Sequence, residues 1–320
     1  VSDKWPSVTV LIAARPDQVE IKAVNAAKEF RYPDGKLEII VARGKQPSVQ
    51  RNAGIRAARG EIIYFLDDDS VVQPESLWRA VERFYDPAVK MVGGPNLCPP
   101  DAPFLERLFA LVHSSWLAFS SSRARYAAVG ELRETGEKEL ILCNLAARRD
   151  VLLELGGFDE LLYPNEENAL MDELAKRGKL LYDPEMIVLR RPRRSLKAFW
   201  RMLLNYGRGR AEQVRLHFTA GSAPNFVPPL FVLYLVLLPL LVWKLGLLTL
   251  IPLGCYALAV LVQCAVLVGR GGLGASLCAV PLTVLVHVGY GLGFLRGLIT
   301  RLRSNSGRPK TEVVLERLEL

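Results

Sequence analysis

The sequence predicts an α/β protein: a doubly wound, mostly parallel sheet, then a C-terminal α-helical transmembrane region. Three observations predict it. Short apolar, β-branched runs alternate with segments of helical period over residues 8–92. Charge almost disappears later, since residues 226–299 carry only Lys244, Arg270 and Arg296. An acidic run, Phe65-Leu66-Asp67-Asp68-Asp69-Ser70, follows directly on the third apolar run.

Val8–Ala13 has the unbroken apolar pattern of a strand buried on both faces. Asp17–Phe30 has helical spacing at Val19, Val24, Ala27 and Phe30, and Tyr32-Pro33-Asp34-Gly35 reads as a turn. Leu37–Val41 is a second strand. Ser48–Arg59 is a helix with Ser48 as N-cap and Gly60 closing it. Ile62–Leu66 is the third strand, Pro74–Tyr85 a helix with Pro74 in its first turn, and Lys90–Val92 a short fourth strand. Such alternation implies right-handed βαβ crossovers. Ligands of these sheets bind beyond the carboxyl ends of the strands, so topology places the Asp run in the ligand crevice.

From about Ala102 the alternation breaks. Phe104–Phe119 reads as an amphipathic helix, Ser120–Glu139 as a polar, mobile loop, and Leu140–Ala146 as apolar again. Arg149–Leu155 is a short helix ending at Gly156-Gly157, Glu166–Arg177 a helix ending at Gly178, and Lys179–Tyr182 a strand. Leu196–Tyr206 mixes Phe199, Trp200, Leu203 and Leu204 with Lys and Arg, an interfacial composition. Three apolar stretches follow, Phe226–Trp243, Leu245–Val268 and Leu273–Leu295. Each approaches or exceeds the ~20 residues that span a bilayer. Three spans would put the C-terminus opposite the soluble part. Yet Arg296, Arg301, Arg303, Arg308 and Lys310 follow the third stretch, and basic flanks prefer the cytoplasm. A first spanning hairpin is expected, with the third stretch left open. The expected division is 1–190 catalytic, 191–225 juxtamembrane, 226–299 transmembrane and 300–320 a basic tail.

The 320 residues carry a net charge of +8. Nine Lys and Arg between Arg190 and Arg215, against Glu212 alone, form a belt suited to anionic headgroups. Nucleic acid is set aside as partner because the belt adjoins the anchor. The five cysteines form no CxxC and read as free thiols rather than a disulfide framework. The N-terminus shows no apolar signal core. The expected place is therefore the inner membrane, multi-pass, with the soluble part cytoplasmic. Nothing in the sequence fixes an oligomeric state.

Asp67 and Asp69, spaced i, i+2 past a strand end, suit a divalent cation, Mn²⁺ or Mg²⁺, because adjacent carboxylates repel unless a cation sits among them. The plainer alternative is a loop in which Asp69 or Ser70 caps the next helix.

The stretch Arg51-Asn52-Ala53-Gly54-Ile55-Arg56-Ala57-Ala58-Arg59-Gly60-Glu61-Ile62-Ile63-Tyr64-Phe65-Leu66-Asp67-Asp68-Asp69-Ser70 resembles the core signature of family 2 inverting glycosyltransferases. The resemblance runs through most of residues 7–215. Asn144-Leu145-Ala146-Ala147-Arg148-Arg149 and Leu155-Gly156-Gly157-Phe158-Asp159-Glu160 resemble the acceptor-side segment. Asn165-Glu166-Glu167-Asn168-Ala169-Leu170 stands where the family has Glu-Asp, whose second acid is the base. The resemblance implies a GT-A fold, a nucleotide-sugar donor and a metal on Asp67 and Asp69. It implies Glu167 as base, with Glu166 the alternative. Donor contacts would come from Ala13, Arg15, Asp17, Arg43, Arg51, Asn52, Asp67 and Asp68. Departures are visible. The first strand ends Ala13-Ala14-Arg15-Pro16, without the family's Pro-x-x-Asn-like segment, and the nucleotide-contacting Asp after the second strand is missing, with Asp17 as substitute.

Pro192-Arg193-Arg194-Ser195-Leu196, Tyr206-Gly207-Arg208-Gly209-Arg210 and His287-Val288-Gly289-Tyr290-Gly291-Leu292-Gly293-Phe294 resemble the succinoglycan-type subgroup, which extends sugars on polyprenyl diphosphate. That implies a polyprenyl-linked acceptor, contact with membrane lipids, and Arg208 and Arg210 gripping a diphosphate; headgroup binding is the equal alternative. His287 reads first as polar glue between helices. The Gln-x-x-Arg-Trp motif of processive synthases is absent, which favours adding one sugar. Two other readings stand: polyprenyl phosphate itself as acceptor, and a non-catalytic nucleotide- or lipid-binding scaffold.

Overall fold

The computed structural model describes residues 5–160, 166–216, 218, 220–300 and 312–319. It falls into two compact units. The first gathers Val1–Pro99, Ala124–Arg191 and Ser304–Leu320; the second comprises Pro100–Arg123 and Pro192–Arg303. Two parts of this division were not expected: Pro100–Arg123 joins the apolar helices, and the C-terminal segment joins the first unit.

The strands in chain order are β1 Val8–Ala14, β2 Leu37–Arg43, β3 Ile62–Asp67, β4 Val71–Val72, β5 Val89–Gly93, β6 Asn96–Leu97, β7 Arg133–Thr135, β8 Asn144–Arg148, β9 Lys179–Tyr182, β10 Val188–Leu189 and β11 Val314–Glu319. The helices are α1 Lys22–Lys28, α2 Pro47–Ala57, α3 Ser76–Glu82, α4 Phe104–His113, α5 Trp116–Phe119, α6 Arg149–Glu154, α7 Glu166–Ala175, α8 Leu196–Leu216, α9 Val227–Leu245 and α10 Ile251–Ile299.

The main sheet has the order β11-β2-β1-β3-β8-β5-β9-β7, and β4-β10-β6 form a small second sheet. β1, β2 and β3 are parallel, as the crossover pattern demands. β8 lies antiparallel between β3 and β5, and β7 and β11 are antiparallel too, so the sheet is mixed. The continuous apolar runs are explained by burial on both faces. Val8, Val10 and Ile12 of β1, Ile39 and Val41 of β2 and Tyr64 of β3 fill one core layer. Leu11, Ile40, Ile63 and Phe65 point the other way into a second layer under α2, α6 and α7.

Local chemistry differs from expectation at two helix ends. α2 starts at Pro47 with Gln46 as N-cap, so Ser48 lies inside the helix, where it is buried. Gly60 is needed for close approach, since a Cβ there would sit 2.4 Å from Thr9 N.

The segment 120–139, read as mobile, is fastened. Arg125 donates to Lys138 O at 2.9 Å and to Asn168 Oδ1 at 2.6 Å. Arg133 grips the Glu139 carboxylate at 3.1 and 2.9 Å, its guanidinium lies 4.4 Å over the Tyr182 ring, and β7 pairs with β9. Polar composition misled because arginine forks, not apolar side chains, hold this loop.

The basic tail contains β11. It pairs antiparallel with β2 from Val314↔Arg43 to Glu319↔Glu38. Arg317 bridges Glu38 and donates to Ala57 O at 2.6 Å, and Glu316 accepts from Arg43 at 2.6 Å. The sheet edge at β2 is thereby covered. Arg301, Arg303, Arg308 and Lys310 lie outside the described residues.

In the second unit α8 and α10 approach closely because glycines line the contact. A Cβ at Gly207 would sit 2.1 Å from Tyr290 O, at Gly293 2.2 Å from Leu204 O, and at Gly297 2.5 Å from Arg208 O. Gly291 does the same toward α9, 2.6 Å from Pro228 O. Two helical stretches, Ser222–Leu245 and Leu247–Ile299, are long and apolar enough to cross a membrane. Their Leu, Val and Trp side chains stay exposed, with Trp243 74% and Leu248 76% accessible, as lipid-facing residues would be. α10 is broken at Gly272, whose φ of 76° and ψ of 168° leave the helical region. His287 contacts Tyr256 OH at 2.8 Å and Leu117 O at 3.0 Å, the cross-helix polar link expected of it.

Candidate active site

The register Ala13↔Ala42, Ala13↔Asp67 and Ala14↔Arg43 brings the carboxyl ends of β1, β2 and β3 level. Ala13, Arg43 and Asp67 therefore share one edge of the first unit. The edge is braced from beneath by buried Gln50 of α2, whose amide donates to Ala14 O at 2.7 Å and Ala42 O at 2.6 Å. Arg43 donates to Gln18 O at 2.7 Å and Arg15 O at 3.3 Å. It fixes the backbone of the loop that displays exposed Arg15 and Asp17.

Past Asp67 the chain makes a closed turn. Ser70 N donates to Asp67 O at 3.0 Å, Ala23 N to Asp68 O at 3.2 Å, and Ser70 Oγ to Cys143 O at 3.4 Å. Rooting Ser70 inside leaves the three Asp carboxylates partly accessible. Arg51, buried on α2, places Nη2 3.0 Å from Asp67 Oδ1 and Nη1 3.4 Å from Glu166 Oε1. It thus links the acidic turn to the start of α7. Glu166 is buried against it. Glu167, the next residue, is half-buried and has no hydrogen-bond or ion-pair partner among the described residues. Asn165 lies outside them.

Asn52 faces a different task. Its Oδ1 accepts from Phe158 N at 2.8 Å, and its Nδ2 donates to Phe158 O and Glu160 Oε1, both at 2.9 Å. Gly157, at φ 81°, makes room for it, because a Cβ there would lie 2.3 Å from Asn52 Oδ1. Arg208 and Arg210 belong to the second unit, where Arg208 Nε lies 3.6 Å from Glu212 Oε1 and Arg210 Nη1 donates to Gln213 at 3.1 Å.

One residue of the site was not foreseen. Arg190, counted only as part of the cationic belt, sits at the end of β10 with Nη1 2.9 Å from Asp67 Oδ2 and Nε on Asp69 Oδ1. The sequence signal was a charge closing the apolar run Met186-Ile187-Val188-Leu189, as Asp67 closes β3. Burial opposes its charge, but the Asp67 carboxylate, with Cys143 and Asp69 adding, holds its pKa well above the ordinary arginine value. Burial pushes the neighbouring Cys143 thiol up to about 12, with Arg190 pulling it back in part.

A divalent cation was expected between Asp67 and Asp69. Both oxygens of Asp67 and one of Asp69 face guanidinium groups. Among the described residues no three His, Cys, Asp or Glu side chains gather to hold a metal ion. A hard cation at such a site would take one or two protein carboxylates and complete its shell with donor phosphates and water, so the free oxygens of Asp67 and Asp69 decide the fit. Carboxylates already paired with two arginines do not fit one.

Comparison with known proteins agrees with the fold. Residues 19–152, which include Arg51 and the Asp run, match the model of "Glycosyl transferase family 2". The "Pre-mycofactocin glycosyltransferase" of Mycobacterium tuberculosis is 28% identical over 196 residues, 56% of this chain and 37% of that protein. The "Succinoglycan biosynthesis protein ExoO" of Rhizobium meliloti is 46% identical over 52 residues, 16% of this chain and 15% of that protein. The chain thus spans well under half the length of the curated relatives it matches. Among solved structures, the mannosyltransferase PcManGT from Pyrobaculum calidifontis, in complex with GDP-Man and Mn²⁺, superimposes with a TM-score of 0.55 at 17% identity, over 92% of this chain and 88% of that one. A mixed sheet of this order, with an acidic turn at the carboxyl edge of its parallel strands, has the GT-A-like fold. The family match, to glycosyl transferase family 2, covers residues 19–152 of the first unit.

Proposed function

We propose that the chain moves one sugar from a nucleotide-sugar donor to a polyprenyl-diphosphate-linked glycan, with inversion, at the cytoplasmic face of the inner membrane. The observation that carries this reading is the acidic turn at the carboxyl edge of β1–β3, linked through Arg51 to the two acids that open α7. Glu166 is engaged with Arg51, whereas Glu167 has no partner among the described residues, so Glu167 is the base in this reading. It takes the proton of the acceptor hydroxyl as that oxygen bonds to the anomeric carbon, while the bond from that carbon to the donor diphosphate breaks on the opposite side. Arg43 and Gln50 hold the strand ends and the 15–18 loop in place for the nucleotide. Positive charge at the acidic turn stabilises the departing diphosphate. No step is assigned to a metal ion, because the carboxylates expected to hold one are paired with arginines.

The lipid acceptor is supported by the exposed apolar helices, by the belt from Arg190 to Arg215 and by the relative named for succinoglycan biosynthesis. Membrane attachment then carries a parity rule. The chain leaves the first unit after Arg191, and β11 returns to that unit's sheet, so the apolar region crosses an even number of times. Incubating membranes with a panel of nucleotide sugars, and either polyprenyl phosphate or a glycosylated polyprenyl diphosphate, tests the reading. Glu167→Gln is expected to slow transfer by about 10²–10⁴-fold. Full activity in that variant would remove Glu167 from the role.

A further inference from the structure

We propose that the guanidinium of Arg190 is the working cation of this site, standing between Asp67 and Asp69 in place of a divalent ion and binding the donor diphosphate through its remaining N–H groups. The inference rests on the reading of the donor as a nucleotide sugar. Two observations carry it.

The first is position fixed by backbone. β10 pairs antiparallel with β4 in the register Leu189↔Val71 and Val188↔Val72, and β4 begins right after the Asp turn. The residue following Leu189 must therefore lie beside that turn. Arg190 N also donates to Leu97 O at 3.0 Å, which anchors it to the neighbouring strand β6. The arginine stands there because of the small sheet, not because a long side chain swung in from solvent.

The second is coordination. Arg190 reaches two different carboxylates, Asp67 Oδ2 at 2.9 Å and Asp69 Oδ1 more closely still. Arg51 holds the other oxygen of Asp67 at 3.0 Å. The acidic turn is thus bridged by a planar fork. A guanidinium has five N–H donors in fixed geometry and cannot lose its charge. Two are on the aspartates, which leaves donors for phosphate oxygens, the partners this group recognises best.

The aspartates then act as orienting anchors for the arginine. That explains why carboxylates sit where a diphosphate must bind: without Arg190 they would repel it.

The test uses the full chain in detergent, stripped with EDTA and titrated with Mn²⁺ alone, with bound ion followed by its EPR signal. The wild type is expected to show no saturable uptake. Arg190→Ala, which frees Asp67 and Asp69, is expected to gain one site. One Mn²⁺ bound by the wild type and lost in Asp69→Ala would overturn the proposal, and this reading needs no Arg190 variant to fold. Calorimetry with UDP and GDP adds a second measure. Affinity is expected to be unchanged by EDTA, about tenfold or more weaker in Arg190→Ala, and intermediate in Arg190→Lys. In the transfer assay, a rate that falls about tenfold in EDTA and returns with Mn²⁺ overturns the role of Arg190 and leaves the glycosyltransferase reading intact. Absence of transfer from every donor, with or without metal, sinks the glycosyltransferase reading instead, and the Mn²⁺ titration still decides on Arg190.

Discussion

Asn144 shows how much of the first unit depends on single amides. Its Oδ1 accepts from Tyr64 OH at 2.8 Å, and its Nδ2 donates to Met186 O at 2.5 Å, all of them buried. The same side chain therefore ties β3 to the loop that leads into β10 and Arg190. Asn144→Ala strands the Tyr64 hydroxyl and the Met186 carbonyl, and each buried, unsatisfied group costs about 1–3 kcal/mol. Thermal unfolding is expected to move down by several degrees, and an unchanged midpoint would contradict that role. Asn52→Ala removes the latch on Phe158 and Glu160 in the same way. Cys143, buried beside Arg190, is expected to resist maleimide at about pH 8, where an ordinary thiol with pKa near 8.5 reacts. Rapid labelling of the folded protein would contradict its burial. The Asp run and the Glu pair were legible as residues because acids at a strand end and in a helix's first turn stand out from an apolar background. Their partners were less so. Arg51 was marked only through a resemblance, and Arg190 was hidden in a charge block, since its role comes from a two-residue strand pairing that no periodicity reveals.

At the scale of elements, the strands β1, β2, β3 and β9 and the helices α2, α6 and α7 were readable because burial on both faces or one face writes its period into the chain. The reversed strand β8 was not. Its apolar run looks the same whichever way it points, and direction is set by pairing with β3 and β5. The glycines of α8 and α10 carried a motif without an evident cause; the structure gives steric reasons, with backbone oxygens within 2.1–2.6 Å of the missing Cβ atoms at Gly207, Gly291, Gly293 and Gly297. Gly207→Val is expected to separate α8 from α10 and reduce the yield of folded protein, whereas Gly274→Val, where a Cβ meets nothing within 4 Å, is not. Equal yields in detergent extracts would count against the packing account. Deleting β11 is expected to uncover β2 as an open edge and promote aggregation on gel filtration.

For the whole molecule, the proposed membrane attachment and the return of β11 to β2 together favour an even number of crossings, since three would leave β11 on the opposite side from β2. α10, with 49 residues, would run to about 74 Å if straight, more than twice a hydrocarbon core of about 30 Å, and the break at Gly272 divides it. Reporters fused at Val1 and Leu320 are expected to label from the same side of sealed vesicles, and labelling from opposite sides would contradict the even count. The central claim concerns chemistry. Its most direct test is mass spectrometry of lipid products after the membrane-borne protein meets a panel of nucleotide sugars. The account predicts a lipid-linked product heavier by one sugar residue, formed by the wild type and lost in Glu167→Gln. Nucleotide sugars left unconsumed in every case, or a product formed equally by the variant, would contradict it.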